Sequence, residues 1–260
     1  MSDDICALTG RPGRYVKCHL YPRSFYRRSA PDAPLMSFSG NSTERFRRMP
    51  TGFYDENLVV QETEQWLSEL DGYAHDVLKP FEPLPEFFAR AKEVVRTEGG
   101  RVELCLFPSF DSEMLKLFFL SVLWRFAASQ TPQSGKLDIG PHIDDLRQTL
   151  AQRDLSVGPQ FEVTVFKLSD GDVMPVMTPS LTRVDGIRMV QMVFGGFSAH
   201  VKCDRRSSPS GMKSLALRVG EPVTVPVWEF KKTKSYANTA KAALHTAKRF
   251  GSPWKGRFDR

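Results

Sequence analysis

The chain has 260 residues, enough to bury a substantial core as one large domain or two small ones. Its 36 Lys and Arg against 30 Asp and Glu leave a formal net charge of +6, so an anionic partner is the first to consider. No apolar leader opens it, and its longest greasy stretch, LFFLSVLW from Leu117 to Trp124, is too short to span a bilayer, so a cytoplasmic protein without membrane association is expected. Four scattered cysteines, Cys6, Cys18, Cys105 and Cys203, fit reduced thiols in that compartment better than a disulfide framework.

In chain order, residues 1–80 begin loop-rich and basic, with GRPG and YPRSFYRR followed by the polar run SFSGNSTERFRRMPTG. ENLVVQETEQWLSELDGYAHDVLK reads as a strand end entering a helix, because Trp66, Leu67, Leu70, Tyr73, Ala74 and Val77 recur at helical spacing. A second helix is predicted over Leu84 to Arg96. RVELCLFP alternates as a strand, and SEMLKLFFLSVLWRFAAS, apolar nearly all round, is the predicted central buried helix. IGPHIDDLRQTLAQRD reads as an exposed amphipathic helix with Pro near its start. From about Gly158 the period becomes two: FEVTVFKL, IRMVQMVFGG, FSAHVKCD, SLALRV and VTVPVWEF are predicted strands of an antiparallel sheet. The expected architecture is α+β: a module over 1–80, a helical segment over 81–157, the sheet over 158–230 packed on the helices, and a basic helix and tail over 231–260.

Three separated pieces, CALT, KCHLYPRSF and YDENLVVQET, together resemble the HNH or treble-clef endonuclease-like proteins. In that group a CxxC hairpin precedes a KSHIIP-like segment and a D-x-NLLCxxC segment that opens a helix. The resemblance implies an HNH/treble-clef-like N-terminal module and extends through LDGYAHDVLKP toward LKLFFLSVLWRF. It makes His19 the general-base histidine, gives Asn57 a part in holding a divalent metal, and places Glu64 just after the second cysteine pair. Mg or Mn is the cofactor that a nuclease of this kind implies, with Asn57, Glu64 or Asp55 as its oxygen ligands. Of the four structural-zinc positions only Cys6 is a good ligand; the others are Thr9, Val60 and Thr63, so no structural zinc is expected. The acidic residue that often precedes the histidine is Cys18, a soft thiol poorly matched to magnesium.

Arg11, Arg14, Lys17, Arg23, Arg27 and Arg28 are interleaved with Tyr15, Tyr21, Phe25 and Tyr26, a mixture suited to gripping phosphates and stacking on bases. Near the C-terminus Lys234, Lys241 and Lys248 stand seven apart with His245 and Arg249 beside them, a second ridge for phosphates. Two readings stay open. One is a DNA- or RNA-interacting HNH-like protein with phosphodiester cleavage, which the resemblance associates with bacterial defence or mobile elements. The other is a non-catalytic scaffold whose sheet docks a protein partner within a larger complex.

Overall fold

The period-two runs after residue 160 do form strands of one sheet, but that sheet begins earlier in the chain. The computed structural model describes residues 4–27, 35–38, 46–49, 51–96, 102–134, 136–158, 160–169, 176–232, 236–237 and 240–241. The first strands are β1 (Asp4–Ile5), β2 (Pro12–Gly13), β3 (Tyr15–His19), β4 (Leu35–Phe38), β5 (Phe46–Met49) and β6 (Tyr54–Val60). Next come α1 (Gln61–Leu78), α2 (Leu84–Arg90), β7 (Glu93–Arg96), β8 (Glu103–Phe107), α3 (Ser112–Ala128) and α4 (His142–Gln152). The remainder is β9 (Val163–Leu168), β10 (Val176–Met177), β11 (Ser180–Val184), β12 (Ile187–Phe194), β13 (Phe197–Lys202), α5 (Ser210–Lys213) and β14 (Val223–Trp228).

This mixed α and β fold is organised by a seven-stranded sheet of order β11-β12-β13-β9-β14-β8-β7. Three expectations need correction. The sheet is not wholly antiparallel, because β14 runs parallel to β9 through Val227 opposite Lys167 and Trp228 opposite Leu168. The predicted helix over Leu84 to Arg96 stops at Arg90, and the β-branched pair Val94 and Val95 joins β8 opposite Cys105 and Leu104. The 81–157 segment therefore gives two strands to the sheet. SLALRV is no strand: it meets β9 only at a bridge between Ala216 and Thr164, since β14 takes that flank of β9 from Lys167 onward.

The predicted central helix is α3, capped by Asp111, whose carboxylate accepts the N–H groups of Glu113 and Met114. Its apolar surface is buried, and α1 contributes the predicted Trp66, Leu67, Leu70 and Ala74 to the same hydrophobic cluster, together with Leu78, while Tyr73 and Val77 pack half-buried against it. That cluster runs unbroken from Cys6 and Leu8 to Val227, so residues 1–80 do not stand apart from the sheet. Phe194 is the junction: its ring lies 4.6 Å from Tyr21, 5.2 Å from Phe25, 6.1 Å from Phe118 and 6.2 Å from Phe119. The next residue is glycine for two reasons. Gly195 has φ +61°, and a Cβ there would come within 2.5 Å of the Phe25 ring. Among the described residues no helix is long and apolar enough to cross a membrane.

His200 on β13 is 7% exposed, packs 5.3 Å from Phe166 and 6.1 Å from Trp228, and among the described residues has no hydrogen-bond partner on either ring nitrogen. Burial pushes its pKa from 6.5 down to about 4, so the folded protein keeps the ring neutral while the unfolded chain takes up a proton below 6.5. Its contribution to stability is complete above pH 6.5 and is lost as pH falls toward 4, a difference reaching about 3 kcal/mol. Thermal melts of His200→Phe should therefore fall less than those of the native protein between pH 7 and 4. They should also start higher, because two unsatisfied nitrogens are removed.

Candidate functional site

β3 and β6 form a two-stranded antiparallel ribbon with His19 opposite Tyr54 and Cys18 opposite Asp55. Alternation along β3 turns Cys18 into the core and leaves Lys17 exposed and His19 half-buried. Lys17 Nζ sits 3.7 Å from the centre of the Tyr54 ring, and the His19 ring is 6.4 Å from the same ring. Burial lowers the His19 pKa, and the charges of Lys17, Arg23 and Arg125 lower it further against the opposing pull of Asp71. The imidazole is thus neutral at pH 7, with three basic side chains close enough to act on it.

The four positions that the resemblance assigns to a zinc knuckle, Cys6, Thr9, Val60 and Thr63, come together. Cys6 Sγ lies 3.2 Å from Thr63 Oγ1, and both residues are buried. Burial pushes the thiol up, but hydrogen bonds from the Thr63 and Thr9 hydroxyls and from the backbone of Thr9 and Val60 outweigh it, leaving its pKa below the ordinary value. Leu8, Val59 and Val60 are buried around this turn, with Tyr15 packed against them. The other three cysteines are also free and buried, and burial raises Cys105 to about 11 and Cys203 to about 12.

A residue outside the predicted set ties β3, α1 and α3 together. Arg125 of α3 has no exposed side-chain surface, and it grips Asp71 of α1 at 2.7 and 3.0 Å. The same guanidinium donates to the His19 carbonyl at 2.7 Å and to Ser121 Oγ at 3.1 Å. Burial alone would lower its pKa, but Asp71 above all, with Cys18 and Glu64, reverses the sign. Glu64, in the first turn of α1, is drawn to the Cys18 thiol; burial raises its pKa against the lowering effects of Cys18 and Arg125, and its Oε2 has no partner among the described residues. Burial likewise raises Cys18 well above the usual thiol range.

His19 lies on β3, Asn57 on β6 and Glu64 in the first turn of α1. Asn57 is exposed and its backbone N–H donates to Asp55 Oδ1 at 2.9 Å; among the described residues, no hydrogen bond or ion pair joins the three side chains. Asp55 is buried, with its second oxygen accepting from Ser129 at 2.8 Å. Magnesium or manganese needs several convergent oxygen ligands. Here a guanidinium already provides the positive charge next to Cys18 and Glu64, and among the described residues no three His, Cys, Asp or Glu side chains are placed to hold a metal ion. The residues present do not fit such a cation.

Of the predicted phosphate-binding residues, Arg14 and Arg23 are exposed, Arg11 is exposed and 3.2 Å from Glu62, and exposed Arg27 lies 5.8 Å from the Phe81 ring. Lys241 is exposed in a helical stretch. Arg28, Lys234, Lys248 and Arg249 lie outside the described residues. Sequence spacing held a signal for what was missed. Arg125 is the one charge inside the apolar run from Leu117 to Phe126, and Glu64 and Asp71 stand seven apart on one helix face. With this geometry in place, comparison with known proteins adds no family: no protein-family model, curated protein or solved structure matches the chain.

Proposed function

We propose that the protein binds nucleic acid through the outer surface of the β3–β6 ribbon, on an HNH-like module whose metal-dependent cleavage chemistry is absent. The observation that carries this reading is the grouping of exposed Lys17 and Arg23 with the Tyr54 ring around a neutral His19. Basic side chains supply phosphate contacts, and an aromatic face adjoining them can meet a base. The convergence of Cys6, Thr9, Val60 and Thr63, and of Cys18 with Glu64, supports the module's likeness to the HNH group. The buried Arg125 supports the loss of cleavage, because a fixed cation already neutralises the position from which a divalent ion would act.

Fluorescence anisotropy with labelled DNA and RNA at several salt concentrations tests the reading. Replacing Arg23, Arg27 and Arg28 together by alanine should weaken binding to unrelated sequences alike. It should also reduce the slope of log affinity against log salt by about 0.9 for each duplex-DNA phosphate that the protein no longer neutralises. An unchanged affinity and slope would leave that patch a solvated surface and favour the scaffold reading. Cleavage of either nucleic acid with magnesium or manganese would overturn the non-catalytic part.

A further inference from the structure

A cleft of about 210 Å³ lies beside the knuckle, between α1 and the end of α4, and its walls include Thr9, Arg11, Glu62, Trp66, Leu150 and Arg153. Arg153 terminates α4 in the left-handed region, with φ 55°. Its N–H donates to the Leu150 carbonyl, and the N–H of Asp154 donates to the Thr149 carbonyl. Helix ends of this form favour glycine, whose backbone adopts that conformation without strain. An arginine there keeps the strain and places a side chain where glycine would place none.

That side chain lies with its guanidinium 4.7 Å from the centre of the Trp66 ring. Trp66 is 8% exposed and held by the core, so it is a rigid platform. Arg153 is exposed, so the side of its guanidinium away from Trp66 is open to solvent, and among the described residues the group makes no hydrogen bond or ion pair. On the knuckle side, Arg11 is steadied by Glu62 at 3.2 Å and by its own N–H to Thr9 Oγ1. Arg147 of α4 donates to the Leu8 carbonyl at 3.3 Å, tying the knuckle to α4 and fixing the separation of the walls.

We propose that this cleft is a subsite for one nucleotide of a single strand: the base lies on the outer face of the Arg153 guanidinium, and the adjoining phosphate meets Arg11. Arginine planes accept stacked bases, and every base offers a face. The cleft is below the roughly 300–1,000 Å³ of pockets for drug-sized ligands, in keeping with a single unit of a chain. A duplex keeps its bases stacked inside and offers none to such a site. The proposal rests on the nucleic-acid reading and adds a preference for unpaired strands.

Arg153→Gly is the informative variant, because glycine suits the left-handed position and should hold or raise the melting temperature while deleting the platform. Anisotropy of the full chain is measured with a labelled short single-stranded DNA, with the blunt duplex of the same sequence, and with adenosine 5′-monophosphate as competitor. Arg153→Gly should weaken single-strand binding about five- to a hundredfold, the range one stacked base supplies, and leave duplex affinity within about twofold. The mononucleotide should compete against the native protein and lose that effect in the variant. Equal single-strand affinity of native protein and variant, or an equal loss on single strand and duplex, would overturn the subsite while sparing the nucleic-acid reading. Failure of the native protein to bind any nucleic acid would remove both.

Discussion

Asp71→Ala is expected to destabilise the fold by about 3 to 5 kcal/mol, the cost of leaving one partner of a buried ion pair uncompensated. Arg125 has no exposed side-chain surface, and Asp71 is its carboxylate partner in two hydrogen bonds. Removing that carboxylate leaves a guanidinium in the core beside only the raised Cys18 and Glu64, both of which burial holds toward their neutral forms. Chemical denaturation should show the loss directly. The double change Asp71→Ala with Arg125→Met should recover part of it, since a well-packed apolar substitute needs no counterion. No recovery would mean that the Arg125 bonds to the His19 carbonyl and Ser121 carry the stabilisation instead.

Phe194→Ala is expected to cost about 3 to 5 kcal/mol as well, through lost transfer energy and the cavity left behind. Its ring is shared by Tyr21 and Phe25 of the N-terminal module and by Phe118 and Phe119 of α3, so no single neighbour can collapse into the space. Because that cluster joins the module to the sheet, near-ultraviolet and far-ultraviolet circular dichroism should lose signal in one coincident transition at a lower denaturant midpoint. Two separated transitions would instead mean that residues 1–80 unfold alone.

Much of the architecture could be read from the chain, for reasons that particular residues make plain. The stripe through Trp66, Leu67, Leu70 and Ala74 fixes α1, and the all-apolar character of 117–124 fixes α3 as the buried helix. What escaped was of two kinds. KEVVR follows a helix without a glycine or proline to mark the break, so β7 merged with α2. Alternation tells which face a side chain takes but not which neighbour a strand pairs with, so the parallel pairing of β14 with β9 was invisible. In the site, local motifs located His19 and its basic neighbours. Arg125 stood out as a lone charge in an apolar run, but its partners were not legible, because it meets Asp71 across 54 residues of sequence and His19 across 106.

The place of β14 governs how the sheet can be built. β7 and β8 form one hairpin, β9, β13, β12 and β11 form a second unit, and β14 is the only strand between them. It is also the last of the seven in the chain. During synthesis from the N-terminus, both units are complete before the strand that joins them leaves the ribosome. Until then β8 offers an unpaired edge from Glu103 to Phe107, and β9 offers a short one at Lys167 and Leu168. Such edges template pairing with other chains. Pairing of β14 covers both edges and joins residues distant in sequence, a topology whose non-local contacts favour slow folding.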